Sequence, residues 1–219
     1  PDVRIRILNR GSIGGVISVM NGEGDIAGAH ILDEKNGSYN IPFLKEFDKE
    51  RKLALIRGYV REQGIMTRKG DERIKRPEDI LKYRDITIVN RNPGSGTRIL
   101  TDMVLKKICE RADLDFETLK SRIRGYHTQA KSHNAVAVSI KQGKADFGFG
   151  ISTVAYIYGL RFIKVRDENY DFVVRREDLE KDYIQEFIDT LKSEEFKEEV
   201  KERLPGIRVE KDVGNVILY

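Results

Sequence analysis

The run Asn90-Arg91-Asn92-Pro93-Gly94-Ser95-Gly96-Thr97-Arg98 holds the densest ligand-type chemistry in this sequence. The apolar stretch DITIVN at 85–90 reads as a strand that Asn-Pro terminates, and Gly94-Ser95-Gly96 then opens a helix over Thr97 to Arg111. Ile99, Leu100, Met103, Val104 and Ile108 recur there at helical spacing. The first-turn N–H groups of a helix have no intrahelical partner, and the aligned peptide dipoles add about half a positive charge at that end. Glycine lets the backbone approach a ligand closely, and the Ser95 and Thr97 hydroxyls supply further donors. The chemistry implied is anion binding. No Lys follows the second glycine at P-loop spacing and no GxGxxG is present, so neither nucleotide fingerprint applies. The same hydroxyls also suit a plain helix cap, and on this run alone both readings stand.

A second device of the same kind lies near the start. LNRGSIGGVISV at 8–19 also runs strand, Gly-Ser turn, helix, and each turn follows an Asn-Arg pair, Asn9-Arg10 and Asn90-Arg91. Ser12 and Ser95 thus stand as matching hydroxyl donors of the two turns. Two helix N-termini facing one cleft would hold a tetrahedral or carboxylate-like anion with neutral donors. His30, in AGAHILD at a strand end among small residues, is a second-rank candidate, as is His133 at the start of the helix HNAVAVSIKQG. Asp146, in ADFGFGIS, is placed either to accept N–H groups from ligand-lining loops or simply to start a strand. Asp33, Asn36 and Asn40 read as turn residues. The three histidines form neither HxH nor HExxH, the acids form no hydrolase pair, and no Ser-His-Asp order forces a triad. The expectation is therefore no catalytic residue, no metal site and no cofactor.

The composition agrees with a small anionic partner. Lys and Arg total 40 against 36 Asp and Glu, an excess of +4 that gathers into no basic tract. Nucleic-acid contact by this chain is not expected, and neither is a membrane, since no apolar run has spanning length. Cys109 is the only cysteine, so no disulfide forms within the chain, and its helical spacing reads as a buried thiol. The start on Pro1 suggests a fragment or processed chain, the lack of a signal-type segment reads as cytoplasmic, and the dense charge suits a thermophilic source.

The elements that would position these residues alternate strand and helix, so the fold class is α/β. Strands are expected at 3–8, 25–32, 53–60, 85–90 and 145–151, and again at FIKV and YDFVVR. Helices are expected at 12–20, 76–83, 97–111 and 133–143, with a short one in LKEFDKER and two charged ones across 177–203.

Taken together, GSIGG, NGEGDIAGAHILDEKNGSYN, NRNPGSGTR and SHNAVAVSIKQGKADFGFGI resemble the periplasmic-binding-protein-like domain related to molybdate- and tungstate-binding proteins. That domain occurs alone, behind winged-helix DNA-binding domains, or fused to molybdopterin-biosynthesis proteins. The resemblance covers nearly the whole chain, and NPGSGTR with GxADxGxG is specific for the family but not for its ligand. It implies a type II periplasmic-binding-protein-like fold, two lobes with a ligand cleft between them, in which Gly11, Ser12, Ile13, Gly94, Ser95, Gly96 and Thr97 would contact the ligand. Lobe one would be 1–62 plus 168–219 and lobe two 63–167, each with a mainly parallel sheet, and the C-terminal helices on lobe one. The function implied is non-catalytic binding of a small oxyanion such as molybdate or tungstate, as sensor or ligand-delivery module. A partner or fused domain of molybdopterin biosynthesis or DNA binding goes with it. A domain of a molybdenum-cofactor biosynthesis enzyme and the effector-sensing half of a transcription regulator are the alternatives.

Overall fold

The computed structural model of the chain describes residues 4–8 and 10–219. In chain order, α1 (Gly11–Met20), β1 (Ile26–Ala29), α2 (Ile41–Phe47) and the long strand β2 (Leu53–Thr67) come first. A 3-10 turn at Pro77–Lys82 leads to β3 (Ile88–Arg91), α3 (Gly96–Arg111), α4 (Phe116–Arg122) and β4 (Gln129–Ala130). Then follow α5 (His133–Lys141), β5 (Phe147–Ile151), α6 (Ser152–Ile157) and a second long strand, β6 (Arg161–Arg175). The chain closes with α7 (Asp182–Lys192), α8 (Glu194–Arg203), β7 (Ile207–Arg208) and β8 (Val216–Ile217). Two compact units divide it, one running up to Arg61 and resuming at Glu168–Tyr219, the other Glu62–Asp167. The chain passes from one unit to the other along β2 and β6.

In the first unit, β1 runs antiparallel to β6 with Gly28 opposite Phe172, and β7 and β8 are antiparallel to β2. A mainly parallel sheet was expected here, and these pairings correct it. The partner of β1 is β6, and two-residue strands of the tail pair with β2. The run Leu53-Ala54-Leu55-Ile56 is apolar without alternation because both of its faces are covered. Leu53 and Leu55 pack with Val16, Val19, Ala27 and Leu44, while Ala54 and Ile56 pack with Ile184, Ile188 and Leu191 of α7. The spacing of those three residues is the apolar stripe that docks α7 on this unit.

The second unit is built the same way. Ile65 and Ile88 join Leu105, Ile108, Phe147 and Phe149 on one side, while Met66 and Val89 meet Val136, Ala137 and Ile140 on the other. Cys109 is 1% exposed within the first of these clusters, and burial pushes its thiol pKa up, as suits a packing residue.

The expected strand at 3–8 does not form over its described part. Arg4–Leu8 are in no strand, Ile5 and Ile7 are 83% and 82% exposed, and no described strand pairs with them. Val3 and Asn9 lie outside the described residues.

Candidate functional site

The second unit's parallel strands place their C-terminal ends together. Strand order runs β6-β2-β5-β3-β4, with β3 parallel to both β4 and β5. The chain leaves β3 through α3 and α4 toward β4, and leaves β5 through α6 toward β6, in the opposite direction. Adjacent parallel strands whose connections diverge open a crevice at their carboxyl ends, where open α/β sheets bind ligands. The helices α3, α5 and α6 each begin at such an end.

Ser95 is the N-cap residue of α3, with φ −77° and ψ 142°, and its Oγ accepts from the Arg98 N–H at 3.2 Å. The cap reading is therefore correct, and it does not exclude the other, because a capping hydroxyl still has its own proton to donate. Gly94 before it has φ +80°, a conformation that a side chain would strain although nothing lies where a Cβ would go. Thr97 is 1% exposed and so lies beneath the turn. Ser132 caps α5 through the Ala135 N–H at 3.1 Å. The bare Gly150 at the end of β5 makes room for the Met66 side chain, and the His133 Nδ1 lies 3.6 Å from the point where a Cβ would stand.

Two arginines hold this edge. Arg91 donates from Nε to the Ala130 carbonyl at 3.1 Å and from Nη2 to the Lys131 carbonyl at 3.3 Å, tying the end of β3 to the turn before α5. Arg98 donates from Nε to both Asp102 oxygens, at 3.1 and 3.0 Å, and its guanidinium lies 4.6 Å from the centre of the Tyr126 ring. Tyr126 donates its hydroxyl to Asp102 at 2.6 Å. Burial first, and then that carboxylate, push its pKa up to about 12. The arginine of the GSGTR run thus positions the helix start. Sequence reasoning also passed over Ser152, the first residue of α6, whose Oγ is buried with no hydrogen-bond partner among the described residues. Its place directly after the glycine-rich strand was the available signal.

In the first unit the structure brings Ser12 and His30 together. The first turn of α1 has no side-chain cap and no acidic residue, and Gly11 has φ +68°. Ser12 Oγ accepts from the His30 backbone N–H at 3.2 Å, leaving the hydroxyl proton to donate. Ile13 is 47% exposed beside them. The His30 Nδ1 is 3.0 Å from Glu168 Oε1, and the other carboxylate oxygen accepts from Arg61 Nε. Burial alone would raise the Glu168 pKa. The Arg61 charge and the bonds from His30 and Arg61 outweigh it and hold the carboxyl at about 2.

Asp146 is not part of either set. It precedes β5, at the end opposite Gly150, and accepts from the Thr87 N–H at 2.8 Å and from Arg73 at 2.5 Å, with Arg68 at 3.4 Å. The candidate assignment is corrected to the strand-start role, because these three donors occupy the carboxylate on the far edge of the sheet. Among the described residues no group of three His, Cys, Asp or Glu is placed to hold a metal ion, and no helix is long and apolar enough to cross a membrane.

Comparison with known proteins places these features in a family context. The family model of the PBP superfamily domain matches residues 1–192. YvgK of Bacillus subtilis (strain 168) is 31% identical over 210 residues, 95% of this chain and 64% of YvgK, so the chain spans just under two thirds of that relative. A solved Clostridium perfringens protein assigned as a phosphate ABC transporter substrate-binding protein, with bound phosphate, superposes with a TM-score of 0.66 at 19% identity. The match covers 96% of this chain and 89% of that one. The regulatory domain of MetR, a LysR family regulator from N. meningitidis, gives 0.56 at 12% identity, over 93% of this chain and 82% of that one. At such identities the likeness is one of fold.

Proposed function

Because the chain belongs to the periplasmic-binding-protein (PBP) superfamily, we propose that it is a non-catalytic binding domain whose ligand is a small oxyanion. The observation that carries this reading is that α3, α5 and α6 begin at the C-terminal ends of β3, β4 and β5, neighbours in one sheet, with Ser95 capping α3 and the buried Ser152 hydroxyl opening α6. Backbone N–H groups and hydroxyls placed by secondary structure are pre-organised donors for a tetrahedral anion. The first unit carries a second set of the same kind, the α1 first turn with Ser12 and His30. Molybdate, tungstate, sulfate and phosphate are the candidate anions, and the domain serves as sensor or delivery module for a partner. No side chain is arranged as an activated nucleophile, which supports binding without turnover.

Isothermal titration with molybdate, tungstate, sulfate and phosphate tests the proposal. Saturable binding of at least one, weakened by Ser95→Ala and by Ser152→Ala, is the expected result. Absence of heat with all four, or full affinity in both variants, overturns it.

A further inference from the structure

A buried charged network behind His30 narrows the class of anion. Glu168 is 1% exposed and Arg61 10%, and they form a direct ion pair in the first unit. Around them are aromatic rings: Tyr170 lies under the Arg61 guanidinium at 4.7 Å, stacks with His30 at 5.4 Å and with Tyr59 at 5.1 Å. A Cβ at Gly28 would collide with the Tyr170 ring and its hydroxyl, so only glycine fits beside it. The result is an imidazole held by one ring face and by one nitrogen. An ionised carboxylate only accepts, so the Nδ1 of His30 must carry the hydrogen in the contact with Glu168. A neutral imidazole so held has its lone pair on Nε2. The side chain is 21% exposed, and Nδ1 is the nitrogen already engaged.

We infer that Glu168 is a positioning residue that locks His30 in the Nδ1–H form, so that Nε2 accepts a hydrogen bond from an oxyanion that carries its own proton. This rests on the oxyanion reading above and deepens it, since an acceptor discriminates among ligands that are otherwise alike in shape. Hydrogen phosphate presents a hydroxyl to Nε2. Sulfate, molybdate and tungstate are fully deprotonated at pH 8 and would set lone pair against lone pair, a repulsive element of the kind that creates specificity. Ser12 and the α1 N–H groups meanwhile supply the donors that any of these anions requires.

The test combines imidazole nitrogen NMR at pH 8 with calorimetry on inorganic phosphate, sulfate and molybdate. Expected are a protonated Nδ1 and a bare Nε2 on His30, an Nε2 resonance that moves when phosphate is added, and phosphate bound roughly 10- to 100-fold tighter than sulfate. Glu168→Gln, whose amide both donates and accepts, should give mixed tautomers and lose that ratio, with phosphate bound more weakly than by the parent and sulfate and molybdate at least as tightly. Should Glu168→Gln fail to fold, leaving Arg61 buried without its partner, His30→Gln at the partly exposed position carries the same ratio test. An Nε2–H tautomer, two ring N–H groups at pH 8, or sulfate and molybdate bound as tightly as phosphate overturns the inference while the oxyanion reading survives. Binding of none of the three anions overturns both.

Discussion

Replacing Ser95 with alanine separates a structural cap from a ligand contact, because the molecule contains its own control. Ser95 accepts from the Arg98 N–H at 3.2 Å, and Ser193, the cap of α8 in the other unit, accepts from the Phe196 N–H at the same 3.2 Å. Equal cap geometry implies equal loss, about 1 kcal/mol for each Ser→Ala change. For a chain of this size that lowers Tm by roughly 2–4 °C. The ligand contact should then appear on top of the cap effect in one variant only. A hydrogen bond to a charged group contributes about 1.5–3 kcal/mol, so Ser95→Ala should weaken oxyanion binding roughly 10- to 150-fold. Ser193→Ala should leave binding unchanged. Thermal melts and isothermal titration on the three proteins decide the matter. Matched Tm losses with unchanged affinity in both variants would refute the ligand role and leave Ser95 as a cap alone.

Four further outcomes are expected. Asp146→Asn should cost about 1–3 kcal/mol of stability in denaturant melts, since charged partners at Arg68 and Arg73 lose their carboxylate, and should leave anion affinity as it was. Phe147→Ala, at a fully buried position of the second unit, should cost about 3–5 kcal/mol by the same measurement. The carboxyl of Glu168 has its pKa depressed to about 2, so its contribution is complete above the ordinary carboxylate value and is lost as pH falls from about 4.5 toward 2. Acid melts of Glu168→Gln should therefore be flatter than those of the parent in that window. Lastly, if neutral donors hold the anion, affinity measured in a non-competing salt such as sodium chloride should change by less than about threefold between 50 and 500 mM, whereas exposed charge pairs would be screened strongly over that range.

The sequence was most legible where structure is set by neighbours in the chain. The cap at Ser95, the apolar spacing that follows it and the Gly143 stop after α5 are all local signals, and each marks an element boundary to within a few residues. The long strands were not legible as single elements. β6 reads as two pieces, FIKV and YDFVVR, because Arg166-Asp167-Glu168-Asn169 between them has the composition of a turn; in the structure it continues the strand, with Glu168 buried. β2 was cut short at residue 60 for the same reason, since Arg61 and Glu62 interrupt its apolar pattern. The charges that obscured these strands are the ones that anchor His30. The chain separates His30 from Glu168 by 138 positions and Arg61 from Glu168 by 107, so only the fold brings them together. The signal was present as charged residues in strands that otherwise bury their side chains, which is costly unless the charges are paired. Helix α4 carries a clear Asp115 cap, accepting from the Thr118 N–H at 2.7 Å, yet its weak apolar pattern gave no reading.

The proposed oxyanion contacts are neutral donors although the chain has surplus positive charge, and the pairing of the nearby arginines accounts for that. Arg10 is committed to Glu23 and Ser18, Arg61 to Glu168, Arg91 to two carbonyls and Arg98 to Asp102. Each of these guanidiniums is engaged close to a turn or strand end that bears ligand candidates, and each acts on the backbone or side chain that aims a donor. A free arginine at such a site would attract any anion through a long, flexible arm. Fixed N–H groups and hydroxyls respond instead to the ligand's shape and to where its protons are, and in a partly dry environment they lose little by being uncharged. On the oxyanion proposal, the arginines of each unit fix the donors of that unit's own set, and in the first unit the choice among anions of similar size and charge falls to those donors and to the acceptor on His30.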